Sequence, residues 1–582
     1  MRNGFKTGLL GAALLATTAI GAYAADVTYD RLLNAEKEGA NWLQNHRDYS
    51  STRYSPLDQI NKDNVKNLKV AFTTAIGGER GGGTQVQGGH QSTPLVNDGG
   101  MYVVDAWGAV YKVDLSKPAS GRIAWIMDPG VDKADIWIAS NRGVALYKDM
   151  VISVTGNGKV NWTKADTGEL VRSIQVEDPK TTGYSLTAPP LVLNGKLIVP
   201  GSGGDRGARS HVDAINADTG APIWRWYSIP KPGEKGSETW KDNNNAWEHG
   251  GGAFWQTGSY DPASNLTYWG TGQPVPMFDP EYRPGDNLFT NSSVALNADN
   301  GQLVWYFQYT PGDFLDYDEI GDQILVDTTV NGQPRKILSH FGRNGFFYNL
   351  DRGNGLFLNA AQYVEKLNWT AGIDPKTGKP VEYDPNKDLQ TYKIGSPAGR
   401  RAQGAALGCP QIQGGVNYFP TSYSQKTKFA YGAGIEACSN VTADAARSGG
   451  KQTPPIWNGG SQVTADRELG SVAAMNPSTG ALVKRKMLDY ASYSGLISTA
   501  GGLVFTTSVD GTVYALDDTT LDILWSFNTG SISSAPPMTY SVNGKQYVAV
   551  LIGGNTIAKG HLAKSPEMSN IQNTSMLYVF AL

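Results

Sequence analysis

Ala214-Ile215-Asn216-Ala217-Asp218-Thr219-Gly220, followed by Trp224, is one copy of a unit that recurs along the chain. Asn161-Trp162-Thr163-Lys164-Ala165-Asp166-Thr167-Gly168 is a second, and Ala295-Leu296-Asn297-Ala298-Asp299-Asn300-Gly301 with Trp305 is a third. Weaker copies are Leu350-Asp351-Arg352-Gly353-Asn354-Gly355, Met475-Asn476-Pro477-Ser478-Thr479-Gly480 and Tyr514-Ala515-Leu516-Asp517-Asp518 with Trp525. Val113-Asp114 with Trp125 adds one more. Asp166 and Asp218 are 52 positions apart, as are Asp299 and Asp351. Asp-Thr-Gly and Asp-Asn-Gly close tight hairpins because Asn and Gly accept positive φ. Runs such as Gly195-Lys196-Leu197-Ile198-Val199 and Gly502-Leu503-Val504-Phe505 read as buried strands. A period of roughly 40–50 residues built from hairpins is the pattern of a β-propeller, whose blades bury their faces only by stacking on neighbours. The Trp after each turn is placed to dock one blade onto the next. The copies give seven or eight blades in one all-β domain. Met576-Leu577-Tyr578-Val579-Phe580 reads as a strand that closes the ring with an N-terminal partner. Residues 355–405 lack the unit and are expected as a surface insertion.

The composition agrees. Gly is 70 of 582 residues, about 12% against a usual value near 7%. Aromatic residues at 10% and charged residues at 18% exclude a disordered chain. A net charge of −3 excludes a strongly basic nucleic-acid surface. Six His without metal spacing give a zinc site no support. No CxxCH occurs, so the chain carries no c-type haem attachment of its own.

The first 24 residues read as a leader. Arg2 and Lys6 precede a short apolar run, and Ala22-Tyr23-Ala24 is a cleavage pattern. The run is too short to span a bilayer, and no later stretch qualifies. The mature chain, 25–582, is expected in the periplasm without a membrane span. In that oxidising compartment its two cysteines, Cys409 and Cys438, are expected to pair.

Four stretches resemble a known family. They are Gly250-Gly251-Gly252-Ala253-Phe254-Trp255; Gly270-Thr271-Gly272-Gln273-Pro274 with Arg283-Pro284-Gly285-Asp286-Asn287; Thr310-Pro311-Gly312-Asp313-Phe314-Leu315-Asp316-Tyr317-Asp318; and Thr499-Ala500-Gly501-Gly502-Leu503-Val504-Phe505. In this order the chain resembles the pyrroloquinoline quinone (PQQ)-dependent alcohol dehydrogenases, the methanol and ethanol dehydrogenase group. The resemblance implies an eight-bladed propeller with the cofactor on its axis. It implies alcohol oxidation, with hydride passing to PQQ, Asp316 as base and Arg343 beside the quinone oxygens.

The resemblance implies a cation, Ca²⁺ or a lanthanide, held by Asp205, Gln273 and Asp316. Both are hard ions that prefer oxygen donors. The additional acid at Asp318 resembles the lanthanide-using branch. In an extended segment, residues two apart project to one side, so Asp316 and Asp318 would repel unless a cation lay between them. The family usually has Glu at the Asp205 position and Asn at the Gln273 position. Trp255 matches a platform under the quinone. Gln91, Arg142, Thr187, Ser202, Gly203, Gly204, Arg343 and Asn417 match cofactor contacts. The family's vicinal Cys pair is replaced here by Ile136-Trp137, and Tyr493 stands where Trp is usual. Trp137, Tyr418 and Tyr493 are therefore expected to shape the substrate pocket, for a primary or bulky secondary alcohol. The 29-residue spacing of Cys409 and Cys438 also fits a disulfide of the family. Electrons are expected to leave to a soluble cytochrome c. Two other readings remain: a PQQ enzyme for sugars or polyols, and a non-enzymatic exported propeller scaffold.

Overall fold

The computed structural model describes Met1 and residues 25–77, 88–117, 120–136, 138–395, 405–450 and 456–582. The expected leader and Trp137 lie outside the described residues. The described residues form eight sheets of at least four strands, one carrying a fifth, and a ninth of three. The architecture is a β-propeller. No helix among the described residues is long and apolar enough to cross a membrane.

One sheet shows how the unit works. Ser259–Asp261, Leu266–Gly270, Ser292–Asn297 and Leu303–Gln308 pair antiparallel in sequence order. At the last turn the Asn297 side chain accepts from the N–H groups of Asp299 and Asn300, at 2.9 and 3.3 Å. Gly301 then takes φ +71° and the register shifts between Ala295 and Leu296. The positive φ is what Gly supplies without strain. In the copy ending at Trp525, Leu521 holds the left-handed position at φ +58° and is fully buried.

The Trp residues dock the sheets. Trp125, Trp162, Trp224 and Trp305 donate from Nε1 to the carbonyls of Ala165, Ala217, Ala298 and Arg352, at 3.3, 2.8, 3.2 and 3.0 Å. Each acceptor sits in or beside the turn of the next sheet. The Trp224 ring lies so close to Gly301 that a Cβ there would come within 2.5 Å of it.

Two devices close the ring. Lys69–Ala75 pairs with Met576–Ala581, Thr74 opposite Leu577, so the two ends of the chain share one sheet. Residues 40–55 also run across the inner edges of the sheets. Trp42 bridges Val96, the Tyr49 hydroxyl donates to the Val192 carbonyl at 2.7 Å, and the Leu325 and Tyr423 N–H groups donate to the carbonyls of Ser50 and Thr52. The fully buried Arg53 donates to the carbonyls of Asn45, Leu496 and Pro537.

The insertion begins later than expected. Phe357–Gln362 is the outer strand of a four-stranded sheet, because Phe346–Asp351 still needs a partner on that side. Beyond it, buried Trp369 donates to the Asn344 carbonyl at 2.9 Å and meets Tyr317 and Tyr392 edge-on.

Antiparallel four-stranded sheets place their loops by parity. The first and third hairpins share one end, so the Trp-docked turns collect there. The entry to the first strand and the second-to-third connection share the other end. Thr187, Trp255, Asp316, Asp318 and Tyr493 precede first strands, whereas Ser202, Asp205, Gln273 and Arg343 follow second strands. All therefore emerge at one end of the propeller.

Candidate active site

These loops enclose a cavity of about 490 Å³, within the size of a typical cofactor site. Its wall includes Asp205, Gln273, Asp316, Asp318, Arg343 and Trp255. Gln91, Arg142, Thr187, Ser202, Gly203, Gly204 and Tyr493 line it as well.

Asp316 and Asp318 reach the cavity by a different route from the extended one expected. No strand runs through 310–323. Asp313 folds the loop, its carboxylate accepting from the N–H groups of Leu315 and Tyr317, both at 2.9 Å. Asp316 then takes φ +62°, a left-handed conformation that Asp tolerates better than most residues. Asp318 is not a solvated turn acid: it is 6% exposed. One Asp318 oxygen accepts from the Gln273 N–H, the other from Arg343 Nη1 at 2.6 Å. A Cβ on Gly272 would come 2.5 Å from the Asp318 carboxylate, so Gly is required at 272.

The electrostatics are unbalanced. Burial pushes the Asp316 carboxyl well above the usual range, against the pull of Arg343, with Asp318 and Asp205 adding to the rise. Burial pushes Asp318 up to about 6, again against Arg343, and raises Asp205. Arg343 is buried among them, its Nη2 3.4 Å from Asp316. One guanidinium does not neutralise three carboxylates, and the remainder calls for a second cation or for protons. Among the described residues, no three His, Cys, Asp or Glu side chains are drawn together as a closed ligand cluster. Arg343 lies against Asp316 and Asp318, and Gln273 Nε2 donates to Asp205 at 2.8 Å. An oxygen site here requires the Gln273 carbonyl as well as the acids. The donors, all oxygen and in charge excess, fit a hard multivalent cation.

The opposite sign is also present. Arg142 is buried, donates from Nη1 to Thr187 Oγ1 at 2.7 Å, and pairs with no carboxylate among the described residues. Burial pushes it down to about 10. Its guanidinium lies 4.6 Å from the Trp255 ring centroid and 4.8 Å from that of Tyr418. A buried cation beside a flat indole suits a planar, carboxylate-bearing cofactor. Asn141 holds this loop, its amide donating to the Val154 carbonyl at 2.8 Å and its oxygen accepting from the Gly143 N–H.

Two expected residues stand back from the wall. Asn417 does not line the cavity; its amide donates to the Gln413 carbonyl at 3.0 Å, and Gln413 is the residue that does. Tyr418 lies behind Arg142 and beside Tyr493, its hydroxyl donating to the Ser534 carbonyl at 2.8 Å. Sequence reasoning missed Gln413, Ser140, Ser185, Ile138 and Ile557. Ser140 donates to Gln91 Oε1, and Ile557 comes from the short helix Thr556–Gly560, capped by Asn555. Cys409 and Cys438 form a disulfide. It adjoins Pro410–Gln413, whose Ile412 carbonyl accepts from Arg343 Nε at 2.8 Å.

The family model of the PQQ glucose/ethanol/alcohol dehydrogenase β-propeller domain matches residues 42–363 and 458–548. The chain belongs to the PQQ-dependent alcohol dehydrogenases. It is 32% identical to the quinoprotein alcohol dehydrogenase PedH of Pseudomonas putida, over 99% of this chain and 96% of that one. It is 34% identical to the quinohemoprotein alcohol dehydrogenase ADH-IIG of Pseudomonas putida, over 93% and 77%. A europium-containing methanol dehydrogenase superposes with a TM-score of 0.84 at 30% identity, covering 95% of this chain and all of the other. Membership makes PQQ the cofactor and sets the scaffold reading aside. The buried Arg142, the Trp255 indole and the cavity volume are what such a cofactor requires of the chain.

Proposed function

We propose that this chain is an exported PQQ enzyme that oxidises alcohols with a bulky apolar body to aldehydes or ketones. The observation that carries the reading is one cavity that brings Asp205 together with the buried Asp316, Asp318 and Arg343, beside Trp255 and Arg142. Asp205, Gln273, Asp316 and Asp318 would hold a Ca²⁺ or lanthanide ion, and Trp255, Arg142, Thr187, Ser202, Gly203, Gly204 and Gln91 would hold PQQ. When bound, PQQ supplies the two-electron acceptor and the ion supplies a Lewis acid.

The chain's own groups do the rest. Asp316 takes the hydroxyl proton as general base. Arg343, 3.4 Å away, favours the charged form of that carboxylate. Ile136, Ile138 and Ile557 form an apolar side of the cavity and exclude water around the substrate. Gly156 packs against Ile136, where a Cβ would come within 3.1 Å of its side chain. This apolar side stands in the region of the family's vicinal Cys pair, and it favours a larger alcohol over methanol. Without a haem motif in the chain, electrons pass to a separate carrier, a soluble cytochrome c. The leader pattern supports export to the periplasm.

The test is reconstitution. Protein lacking cofactor is given PQQ with Ca²⁺ or La³⁺, and dye reduction is followed with methanol, aliphatic, aromatic and secondary alcohols and a polyol. The expected result is activity that needs PQQ and one ion, with the highest kcat/KM for a bulky apolar alcohol. A higher kcat/KM for methanol or for the polyol would overturn the substrate reading.

A further inference from the structure

His561 and Glu468 form a buried pair behind the cavity wall, each side chain about 5% exposed or less. His561 Nδ1 meets Glu468 Oε2. A carboxylate only accepts, so Nδ1 carries the proton. Gln411 Nε2 donates to the same oxygen at 3.1 Å, and Thr464 Oγ1 donates to the other at 3.2 Å.

The pair is wired to the cavity twice. Through hydrogen bonds, Gln411 Oε1 accepts from the Gln413 N–H at 3.1 Å, and Gln413 Oε1 accepts from the Tyr493 hydroxyl at 3.4 Å. Through packing, the His561 ring lies 4.6 Å from the Tyr493 ring. The five residues close a circuit, of which Gln413 and Tyr493 line the cavity. Phe419 and Tyr418 pack edge-on against Tyr493 and leave its ring little freedom to swing. His561 also ends the helix Thr556–Gly560, which delivers Ile557 to the same cavity.

We propose that His561 and Glu468 are positioning residues for Tyr493 and Gln413, and that through them they set how tightly the alcohol is held. The proposal rests on the reading that Tyr493 and Gln413 face the substrate. The geometry favours positioning over direct participation. Both side chains are absent from the cavity lining, and Glu468 Oε2 is already engaged by His561 and Gln411. Removing the His561 donor leaves a buried carboxylate short of a partner, and the penalty falls on the segment that carries Gln413.

The experiment uses the holoenzyme. His561→Phe keeps a flat ring against Tyr493 but loses the donor. His561→Asn keeps a donor near the Nδ1 position. The expected result for His561→Phe is a rise in KM of roughly 5- to 30-fold, with kcat within about two-fold and PQQ affinity unchanged. His561→Asn should restore KM to within about three-fold of the original. An unchanged KM in His561→Phe, or no rescue by His561→Asn, overturns the proposal. Should His561→Phe not fold, Glu468→Gln tests the same link, again with a raised KM expected and an unchanged KM decisive against it. Tyr493→Ala separates the two failures. If it raises KM while the His561 variants do not, the positioning role is wrong and the pocket reading stands. If it too leaves KM unchanged, Tyr493 does not face the substrate and both fail.

Discussion

The Arg343 guanidinium lies 2.6 Å from the Asp318 carboxylate, and among the described residues it is also the one ion-pair partner of Asp316. Its Nε is tied to the Ile412 carbonyl, and its backbone N–H to Glu319, which is in turn bonded to His340. The cation is therefore fixed from behind while its charge faces the acids.

Arg343→Gln removes the positive charge that pairs with Asp316 and Asp318. Breaking a buried pair from one side costs about 3–5 kcal/mol. Denaturant unfolding of the cofactor-free protein at pH 7 should show a loss of that order, and added Ca²⁺ or La³⁺ should recover most of it. Coincident unfolding curves for the variant and the original protein, without the ion, would show that Arg343 does not carry this balance.

Asp318→Asn keeps the shape and an oxygen acceptor for the Gln273 N–H but removes one charge. Charge matters more to a trivalent than to a divalent ion at equal distance, because the interaction scales with the product of charges. The affinity for La³⁺ or Tb³⁺ should fall at least about ten-fold further than that for Ca²⁺. Titration of cofactor-free protein with each ion measures both. An equal loss for the two ions would assign Asp318 a structural role instead.

The propeller was legible because its signal is local and repeated. The turn at Asn297–Gly301 needs an Asx acceptor and one left-handed residue, and both are written within five positions. The acids of the site were legible only through the resemblance. Their placement was not, because the loop turns on the Asp313 side chain and a left-handed Asp316, which no period announces. Gln413, Ser140 and Ile557 were missed for a related reason. They sit on connections between sheets, where neither alternation nor turn chemistry constrains the residue type. The outer strand Phe357–Gln362 was missed because its pairing with Phe346–Asp351 shows only in three dimensions.

Gly301→Ala tests the docking of one sheet onto the next. The new methyl would meet the Trp224 ring at 2.5 Å and would sit at φ +71°. Left-handed strain and overpacking together should cost about 2–4 kcal/mol. The expected readout is a drop in Tm of several degrees, with the Trp224 emission shifted. The double variant Gly301→Ala with Trp224→Leu should lose less than the sum of the single variants, since removing the ring removes the clash. Simple additivity would mean the ring and the turn do not share the contact.

His90 gives the fold a defined acid limit. Its imidazole is 2% exposed and faces Ser575, and its backbone is bonded to Gly553 and Ser534. Burial alone pushes it down to about 4. The folded protein therefore holds His90 neutral where the unfolded chain, near 6.5, takes up a proton. Stability from this group is fully present above about pH 6.5 and is lost as pH falls toward 4, by about 3 kcal/mol in all. His90→Gln should flatten the fall. The difference in unfolding free energy between the original protein and the variant should change by about 1 kcal/mol per pH unit between pH 4.5 and 6, and be constant well above pH 7. A difference that stays flat across the whole range would mean that His90 takes up its proton as readily in the folded protein as in the unfolded chain. The strand ends it joins, at Gly553 and Ser575, would then have to be held by something other than a neutral ring.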